Sequence, residues 1–203
     1  MDYNLEKKDL FVFNDKEGRN IVPKYWDVKE LEISGKGGVF EATNSTFDKG
    51  ICTASGVQFD LRKCKFSELK LEYTSLINSK VQKCRFDKLH IEMDQGMPCI
   101  DILRATIGEF VFKGSTRKNL PFFTLTSSSV EHLILDSCLV ADWSFNNCEI
   151  TTLELKNAKS ISNFRFLGTK VHNIIVDGKT LSNQILDDSI VLLNCVNGDL
   201  HLS

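Results

Sequence analysis

The apolar positions of this chain recur with two nested periods. Two apolar residues separated by one other residue return about every twenty positions, at 69–71, 89–91, 110–112, 133–135, 153–155 and 174–176. In addition, an apolar residue recurs every five positions in three stretches of the chain. These run from Leu61 to Ile91, from Leu125 to Leu155 and from Phe166 to Val196. A helix would place apolar residues three and four apart, and long antiparallel strands would alternate without interruption. Four steps of five residues within each repeat instead predict a four-sided coil of short strands, and successive coils stack into a solenoid.

Stacking the coils at twenty residues aligns the apolar residues in columns that should form the core. The first column holds Phe66, Phe86, Ile107, Val130, Ile150 and Val171. The second column holds Leu71, Ile91, Phe112, Leu135, Leu155 and Val176. The third is interrupted and contains Leu76, Val140 and Leu181. The fourth holds Leu61, Val81, Ile102, Leu125, Phe145 and Phe166. The predicted fold class is therefore all-β, a parallel solenoid of about eight coils of roughly twenty residues.

The five-residue register resembles that of the pentapeptide-repeat family. Family repeats place a small residue two positions before the central Leu or Phe, as Cys64, Thr74, Ser79, Cys84, Ala105, Ser128, Cys138, Cys148 and Thr169 do here. Bulky residues stand at that place mainly in the second and fourth columns, and Lys65, Arg85 and Glu149 replace the family's usual Asp or Asn. The resemblance covers roughly residues 31–203. It implies a right-handed quadrilateral β-helix, with the second and fourth walls pushed outward by the bulky residues.

The two ends of the chain lead to different expectations. Residues 1–30 lack the register, so we expect a cap segment there and a β-helix over residues 31–203. At the other end the sequence Asp199-Leu-His-Leu-Ser203 offers no capping helix. A bare final coil is a template for association, so a homodimer through the C-terminal coil is plausible.

Composition narrows the class of protein. No stretch approaches the roughly twenty apolar residues needed to cross a bilayer, and the first residues do not form a secretory signal. Seven cysteines without a Cys-x-x-Cys pair suggest neither disulfides nor a zinc site, which favours a cytoplasmic protein with reduced thiols and no membrane association. The four histidines fall at different register positions, and no catalytic group converges with another. We therefore expect no enzyme activity, no metal and no cofactor, and we assign Cys64, Cys84 and Cys148 to core packing.

Three breaks in the register indicate a first candidate surface. The intervals from residue 91 to 102, from 112 to 125 and from 155 to 166 are longer than ten residues. All three lie between the second and fourth columns, so the extra residues should protrude from one side of the rod. Arg117 and Lys118, together with Lys113, would be the exposed charges of a partner-binding surface there. The alternative is that this corner merely tolerates insertions.

A basic patch is the second candidate. Lys63 and Lys65 should stack on Lys83 and Arg85 of the next coil, where like charges repel. Such a cluster suits an acidic partner or a phosphate backbone. It covers only two coils, which is too short for a nucleic-acid track, so we expect no nucleic-acid partner. The alternative is a solvated face with counter-charges such as Glu68 close by.

The function that we predict is a non-enzymatic protein–protein interaction module, a rigid rod that binds a protein partner through loops on one side. The family resemblance implies an alternative, a DNA-mimicking inhibitor or protector of a type II topoisomerase. That role needs an acidic surface, whereas residues 121–203 carry nine acidic against five basic residues and the basic patch opposes mimicry. A secreted bacterial effector is a second alternative. A polysaccharide-active β-helix would need a secretion signal and a carboxylate-lined groove, and the sequence predicts neither.

Overall fold

The described part of the chain is built from strands. The computed structural model describes residues 6–15, 20–21, 24–72, 75–76, 78–92, 99–114, 123–136, 143–157, 160–181, 191–196 and 199–202. In chain order its strands are β1 (Glu6–Asp15), β2 (Asn20–Ile21), β3 (Trp26–Gly35), β4 (Val39–Thr43), β5 (Thr46–Cys52), β6 (Ser55–Arg62), β7 (Lys65–Glu72), β8 (Ser75–Leu76), β9 (Ser79–Gln82), β10 (Arg85–Glu92), β11 (Ile100–Leu103), β12 (Thr106–Lys113), β13 (Phe123–Thr126), β14 (Ser129–Asp136), β15 (Trp143–Asn146), β16 (Glu149–Lys156), β17 (Ser160–Leu167), β18 (Lys170–Val176), β19 (Lys179–Leu181), β20 (Val191–Val196) and β21 (Asp199–Leu202). No helix occurs among these residues, which confirms the predicted all-β class.

The strands form two stacked sheets. The first sheet has the order β1-β3-β5-β7-β10-β12-β14-β16-β18-β19, and the second has the order β2-β4-β6-β9-β11-β13-β15-β17-β20-β21. Pairing is parallel from β1 to β18 in the first sheet and from β2 to β17 in the second. Each coil thus gives one strand to each sheet, and the coils stack as a right-handed parallel β-helix, as the sequence predicts.

The predicted first and second columns lie in one sheet. Within β7, the side chains of Phe66, Leu69 and Leu71 are buried, while Ser67 and Glu68 between them are only partly covered. Two partly covered residues in a row interrupt the alternation of a flat strand, so the strand turns a corner there. The fourth column lies in the second sheet, where Val81 and Leu125 are buried. The third column forms no sheet of its own among the described residues, because Leu76 lies in β8, which pairs with β6 off the main path.

Aromatic rings stack along the rod axis inside the coils. Phe47, Phe66 and Phe86 are fully buried, with centroids 4.6 Å and 5.4 Å apart and interplanar angles of 13° and 14°. Phe145 and Phe166 repeat the stack at 5.0 Å. Parallel pairing in register places equivalent side chains directly above one another. Each such ring pair contributes about 0.5–1.5 kcal/mol beyond the area that it buries.

The N-terminal end continues the sheet. Strand β1, which lies in the segment predicted as a cap, pairs in parallel with β3 as the edge strand of the first sheet. The side chain of Phe13 is buried there, and the ring of Trp26 donates its Nε1–H to Glu6 at 3.0 Å. Residues 6–15 therefore end the rod by adding one more strand to it.

The C-terminal end reverses direction, against the predicted register. After Val176 the chain turns through Asp177 and Gly178, whose φ angles are 45° and 80°, and β19 runs antiparallel to β18. Strand β20 is antiparallel to both β17 and β21. The expectation of parallel coils up to residue 203 is therefore wrong, because Asp-Gly favours the left-handed backbone of a tight hairpin turn. The last parallel strands are covered rather than bare. The homodimer through this end stays a prediction.

Candidate functional site: a basic corner

One corner of the rod is built from the same two-residue connection in seven successive coils, from the connection between β4 and β5 to that between β17 and β18. It joins a strand of the second sheet to the next strand of the first. The first residue of each connection has a left-handed backbone with φ between 49° and 57°, and these residues are Asn44, Lys63, Lys83, Arg104, Ser127, Asn147 and Gly168. The second residue is small and buried, and these residues are Ser45, Cys64, Cys84, Ala105, Ser128, Cys148 and Thr169. A left-handed residue turns the chain sharply, and a small one lets the two sheets approach at the corner.

Hydrogen bonds between coils fix this corner. The backbone N–H of Ala105 donates to Ser128 Oγ at 3.0 Å, and that hydroxyl donates to the carbonyl of Thr126 at 2.9 Å. The N–H groups on either side of the buried residue also bond within the chain, since Lys63 N donates to Gln82 O and Lys65 N to Ser45 O, both at 2.9 Å. These backbone N–H groups are occupied, so they are not free to donate to a ligand at the corner.

The corner is basic over three successive coils. Lys63, Lys83 and Arg104 occupy the left-handed positions, and Lys65 and Arg85 occupy the exposed positions just after the buried residue. Adjacent coils are about 4.8 Å apart, and Arg85 is the direct cross-strand partner of Lys65. We call these five residues the basic corner.

Most of this charge has no internal counter-charge. Arg85 Nε lies 3.2 Å from Asp87 Oδ1, and a neighbouring pair joins Arg62 to Asp60 at 3.1 Å. The expected counter-charge, Glu68, pairs with Lys70 at 3.6 Å.

Four cations of the corner stay uncompensated. Across the ranges that the structure describes, no ion pair involves Lys63, Lys65, Lys83 or Arg104. Exposed ion pairs contribute little to stability, but four uncompensated cations on neighbouring coils repel one another.

The left-handed backbone at Lys63, Lys83 and Arg104 adds a conformational cost to the charge repulsion. Elsewhere in the column the left-handed site holds Asn44, Ser127, Asn147 and Gly168, and of these residue types asparagine and glycine adopt that conformation readily. Lysine and arginine do not, and a left-handed backbone costs an ordinary residue roughly 1 kcal/mol or more. Strain and repulsion that recur on three coils without internal compensation are typical of a functional surface.

The structure brings together four of the residues singled out in the sequence and adds one. Lys63, Lys65, Lys83 and Arg85 lie on adjacent coils as predicted, and Arg104 extends them by one coil. Sequence reasoning missed Arg104 because the register break before it moves it to 21 residues after Lys83. The signal was the small residue that follows it, as a small residue follows Lys63 and Lys83.

The other candidate surface, the side predicted from the three register breaks, lies at the C-terminal ends of the first-sheet strands, whereas the basic corner lies at their N-terminal ends. The three register breaks fall in the connections that run from the first sheet to the second. Arg117 and Lys118 lie outside the described residues. Lys113 is exposed at the end of β12, where its Nζ lies 2.9 Å from Glu92 Oε1. Lys113 lies seven residues after Thr106 along β12, at the opposite end of that strand from the basic corner.

The corner continues beyond Arg104 as a groove. Beside Arg104 and in the next two coils, exposed corner positions carry short polar residues, including Thr106, Ser127, Ser129 and Asn147. The space that long side chains fill in earlier coils is open here, with a volume of about 530 Å³. Arg104 stands at one end and Lys170 at the other. No lining residue is aromatic.

The described side chains offer no catalytic or metal-binding arrangement. Burial raises the pKa of Cys52 to about 11 and also raises the pKa of Cys148, so neither thiol is an activated nucleophile. The hydrogen bond with Cys64, together with burial, raises the pKa of Cys84. His132 and His172 each face a single glutamate, at 3.0 and 3.3 Å. No group of three His, Cys, Asp or Glu side chains that could hold a metal ion occurs in the described ranges.

Comparisons with known proteins do not place the chain in a family. Neither a family model, nor a curated protein, nor a solved structure matches it. Among the residues described, no helix is both long and apolar enough to cross a membrane.

Proposed function

We propose that this protein is a non-enzymatic interaction module that binds an acidic protein partner at the basic corner. The observation that carries the proposal is the left-handed backbone of Lys63, Lys83 and Arg104 on three successive coils. Their charges are exposed and have no described ion pair. An acidic partner would neutralise cations that the fold itself leaves repelling one another.

The rod gives such a surface a rigid support. Each corner residue is flanked by hydrogen bonds to the coils above and below, so the side chains start from a fixed backbone. A pre-organised array loses little conformational entropy on binding compared with charges on a mobile loop. Four uncompensated cations also speak against the alternative of DNA mimicry, which requires an acidic surface.

Partner capture tests the proposal when the corner charges are removed without disturbing the turn. Lys63→Asn combined with Lys83→Asn deletes two charges, and asparagine accepts the left-handed backbone. Lys49→Gln combined with Lys80→Gln is the matched control, because both lysines are exposed but lie on the outer faces of the sheets. Each purified variant is used to capture proteins from a lysate of the native host, followed by quantitative mass spectrometry.

The expected result is a set of acidic proteins that the wild type and the control capture equally. The corner variant should capture at least about tenfold less of the same proteins, and added salt should weaken capture by the wild type. Equal capture by the corner variant would overturn the proposal. Loss of capture by Arg117→Glu combined with Lys118→Glu, with the corner variant unaffected, would assign binding to the loop side instead.

A further inference from the structure

The basic corner and the groove beyond it form one continuous track along the rod. Both occupy the same two exposed columns on either side of the buried small residues, and Arg104 belongs to both. From Lys63 to Arg104 the track rises two coils, and from Arg104 to Gly168 it rises three. At about 4.8 Å per coil, the whole track is about 24 Å long.

Net positive charge is concentrated at one end of this track, because at the other end one cation and one carboxylate are neighbours. The basic end carries five cations, whereas the middle of the groove offers the hydroxyls of Thr106, Ser127 and Ser129. At the far end Lys170 is the cross-strand neighbour of Glu149. A ligand that fits must therefore be anionic at one end and neutral and polar along the rest.

We propose that the track binds an extended, unstructured peptide segment of the partner, with an acidic run on the basic corner and small polar residues in the groove. This inference rests on the proposed function and specifies its ligand. An extended chain rises about 3.3 Å per residue, so about seven residues span the track. Serine and threonine hydroxyls both donate and accept, which suits the alternating N–H and C=O groups of a peptide backbone.

Other polymers fit less well. A nucleic-acid strand carries a charge at every phosphate, and beyond Arg104 it would meet uncharged residues and then Glu149. The corner backbone N–H groups donate within the chain, so they form no phosphate-binding nest. Single-strand binding relies on aromatic stacking, and the groove has no aromatic lining.

A labelled seven-residue peptide tests the inference by fluorescence anisotropy. The probe has three acidic residues, which match the length of the basic corner, followed by four alternating Ser and Gly residues. An acidic three-residue peptide and oligothymidylate of seven nucleotides are compared with it. Ser129→Phe and Ser129→Trp each fill the groove at an exposed strand position that tolerates aromatic residues and lies one coil beyond Arg104. Thr151→Phe is the matched control, since Thr151 is exposed on β16 but does not line the groove. Thermal melts show that each variant is folded.

The expected result is that either groove variant weakens binding of the seven-residue probe about tenfold and leaves binding of the three-residue acidic peptide unchanged. Lys63→Asn combined with Lys83→Asn should weaken both. If folded groove variants bind the probe like the wild type, or if the wild type does not bind it at millimolar concentration, the inference fails while the basic corner can still serve a partner of another shape. If the corner variant binds the acidic peptide normally, the proposed function fails as well. Tighter binding of oligothymidylate than of the probe would assign the track to nucleic acid and overturn the peptide inference.

Discussion

At the scale of single residues, the left-handed corner position separates what the fold requires from what it tolerates. Asparagine at 44 and 147 and glycine at 168 meet the requirement directly. Lys83 meets it with strain, and its neighbours Lys63 and Arg104 add like charge one coil away on each side. A cation at the left-handed corner position therefore lowers the stability of the fold and is also a candidate for binding a partner.

Replacing Lys83 by asparagine should stabilise the protein. Asparagine relieves the left-handed strain, and removing one charge reduces the repulsion, so Lys83→Asn is expected to raise the free energy of unfolding by about 0.5–1 kcal/mol. Denaturant unfolding measures this change in the free energy of unfolding, and the m-value should stay the same in the variant and the wild type. The reciprocal variant Asn147→Lys should lose a similar amount. A loss of stability in Lys83→Asn would show that the aliphatic stem of this lysine contributes more by packing than its backbone costs.

A second prediction concerns the buried thiol of Cys52, whose pKa burial raises to about 11. Below about pH 8.5 the thiol is protonated in both folded and unfolded chains. As the pH rises to 11, the unfolded chain loses this proton and the folded chain keeps it, so the free energy of unfolding should fall by up to about 3 kcal/mol. Cys52→Ala should remove that part of the slope between pH 8.5 and 11, whereas Cys99→Ala, at a half-buried site, should retain it. Parallel slopes for the wild type and Cys52→Ala would contradict the assignment.

At the scale of elements, the corner is a ladder in which a side chain of one coil satisfies the backbone of the coil before it. Ser128 Oγ accepts from Ala105 N at 3.0 Å, Thr169 Oγ1 accepts from Cys148 N at 3.1 Å, and the sulfur of Cys84 accepts from Cys64 N at 3.4 Å. Hydroxyl oxygen and thiol sulfur thus accept the same backbone hydrogen bond in different coils. This explains why small polar and thiol residues share one column.

Ser128→Ala should therefore destabilise the protein. It leaves the Ala105 N–H buried without an acceptor, which costs about 1–3 kcal/mol, and thermal denaturation should show a melting temperature lower by several degrees. Ser129→Ala, at the exposed position next in sequence, should change the free energy of unfolding by less than about 0.5 kcal/mol. Ser128→Cys should recover part of the loss, because a thiol serves at Cys84. Equal effects of Ser128→Ala and Ser129→Ala would mean that the hydroxyl has no such role.

The sequence predicts which residues of these elements are buried, but the apolar spacing does not predict where a strand bends or reverses. Phe66 and Leu71 predict their column positions correctly, because inward spacing is a direct consequence of burial. They do not reveal that both lie in one bent strand, since a five-residue step looks the same whether a corner ends a strand or bends it. The reversal after Val176 has its own local signal in Asp177-Gly178, and Asn197-Gly198 repeats it between β20 and β21. The five-residue apolar spacing persists through Asp177-Gly178, so the spacing alone does not predict the turn.

At the scale of the whole molecule, the two ends of the rod differ. The N-terminal end presents β1, a ten-residue strand at the edge of the first sheet. At the C-terminal end, antiparallel β19 lies along β18, while β20 and β21 extend the second sheet from β17. The second sheet thus ends in the four-residue β21 rather than in the eight-residue β17. A short terminal strand is one of the ways in which proteins limit pairing between sheet edges.

Removing the antiparallel strands should convert the C-terminal end into the association template that a bare coil would be. A variant that ends at Gly178 exposes the backbone edges of β17 and β18, and we expect light scattering to show an apparent mass that rises with protein concentration. Each coil is held mainly by its neighbours, so circular dichroism should still report the strands of the remaining coils. A variant that ends at Val196 loses β21 alone and leaves the six-residue β20 at the edge, so its association should be weaker. If the variant ending at Gly178 keeps its strand signal and shows the same concentration dependence as the full chain, then β19, β20 and β21 do not protect this end. The longer β1 edge would then be the place to look for self-association.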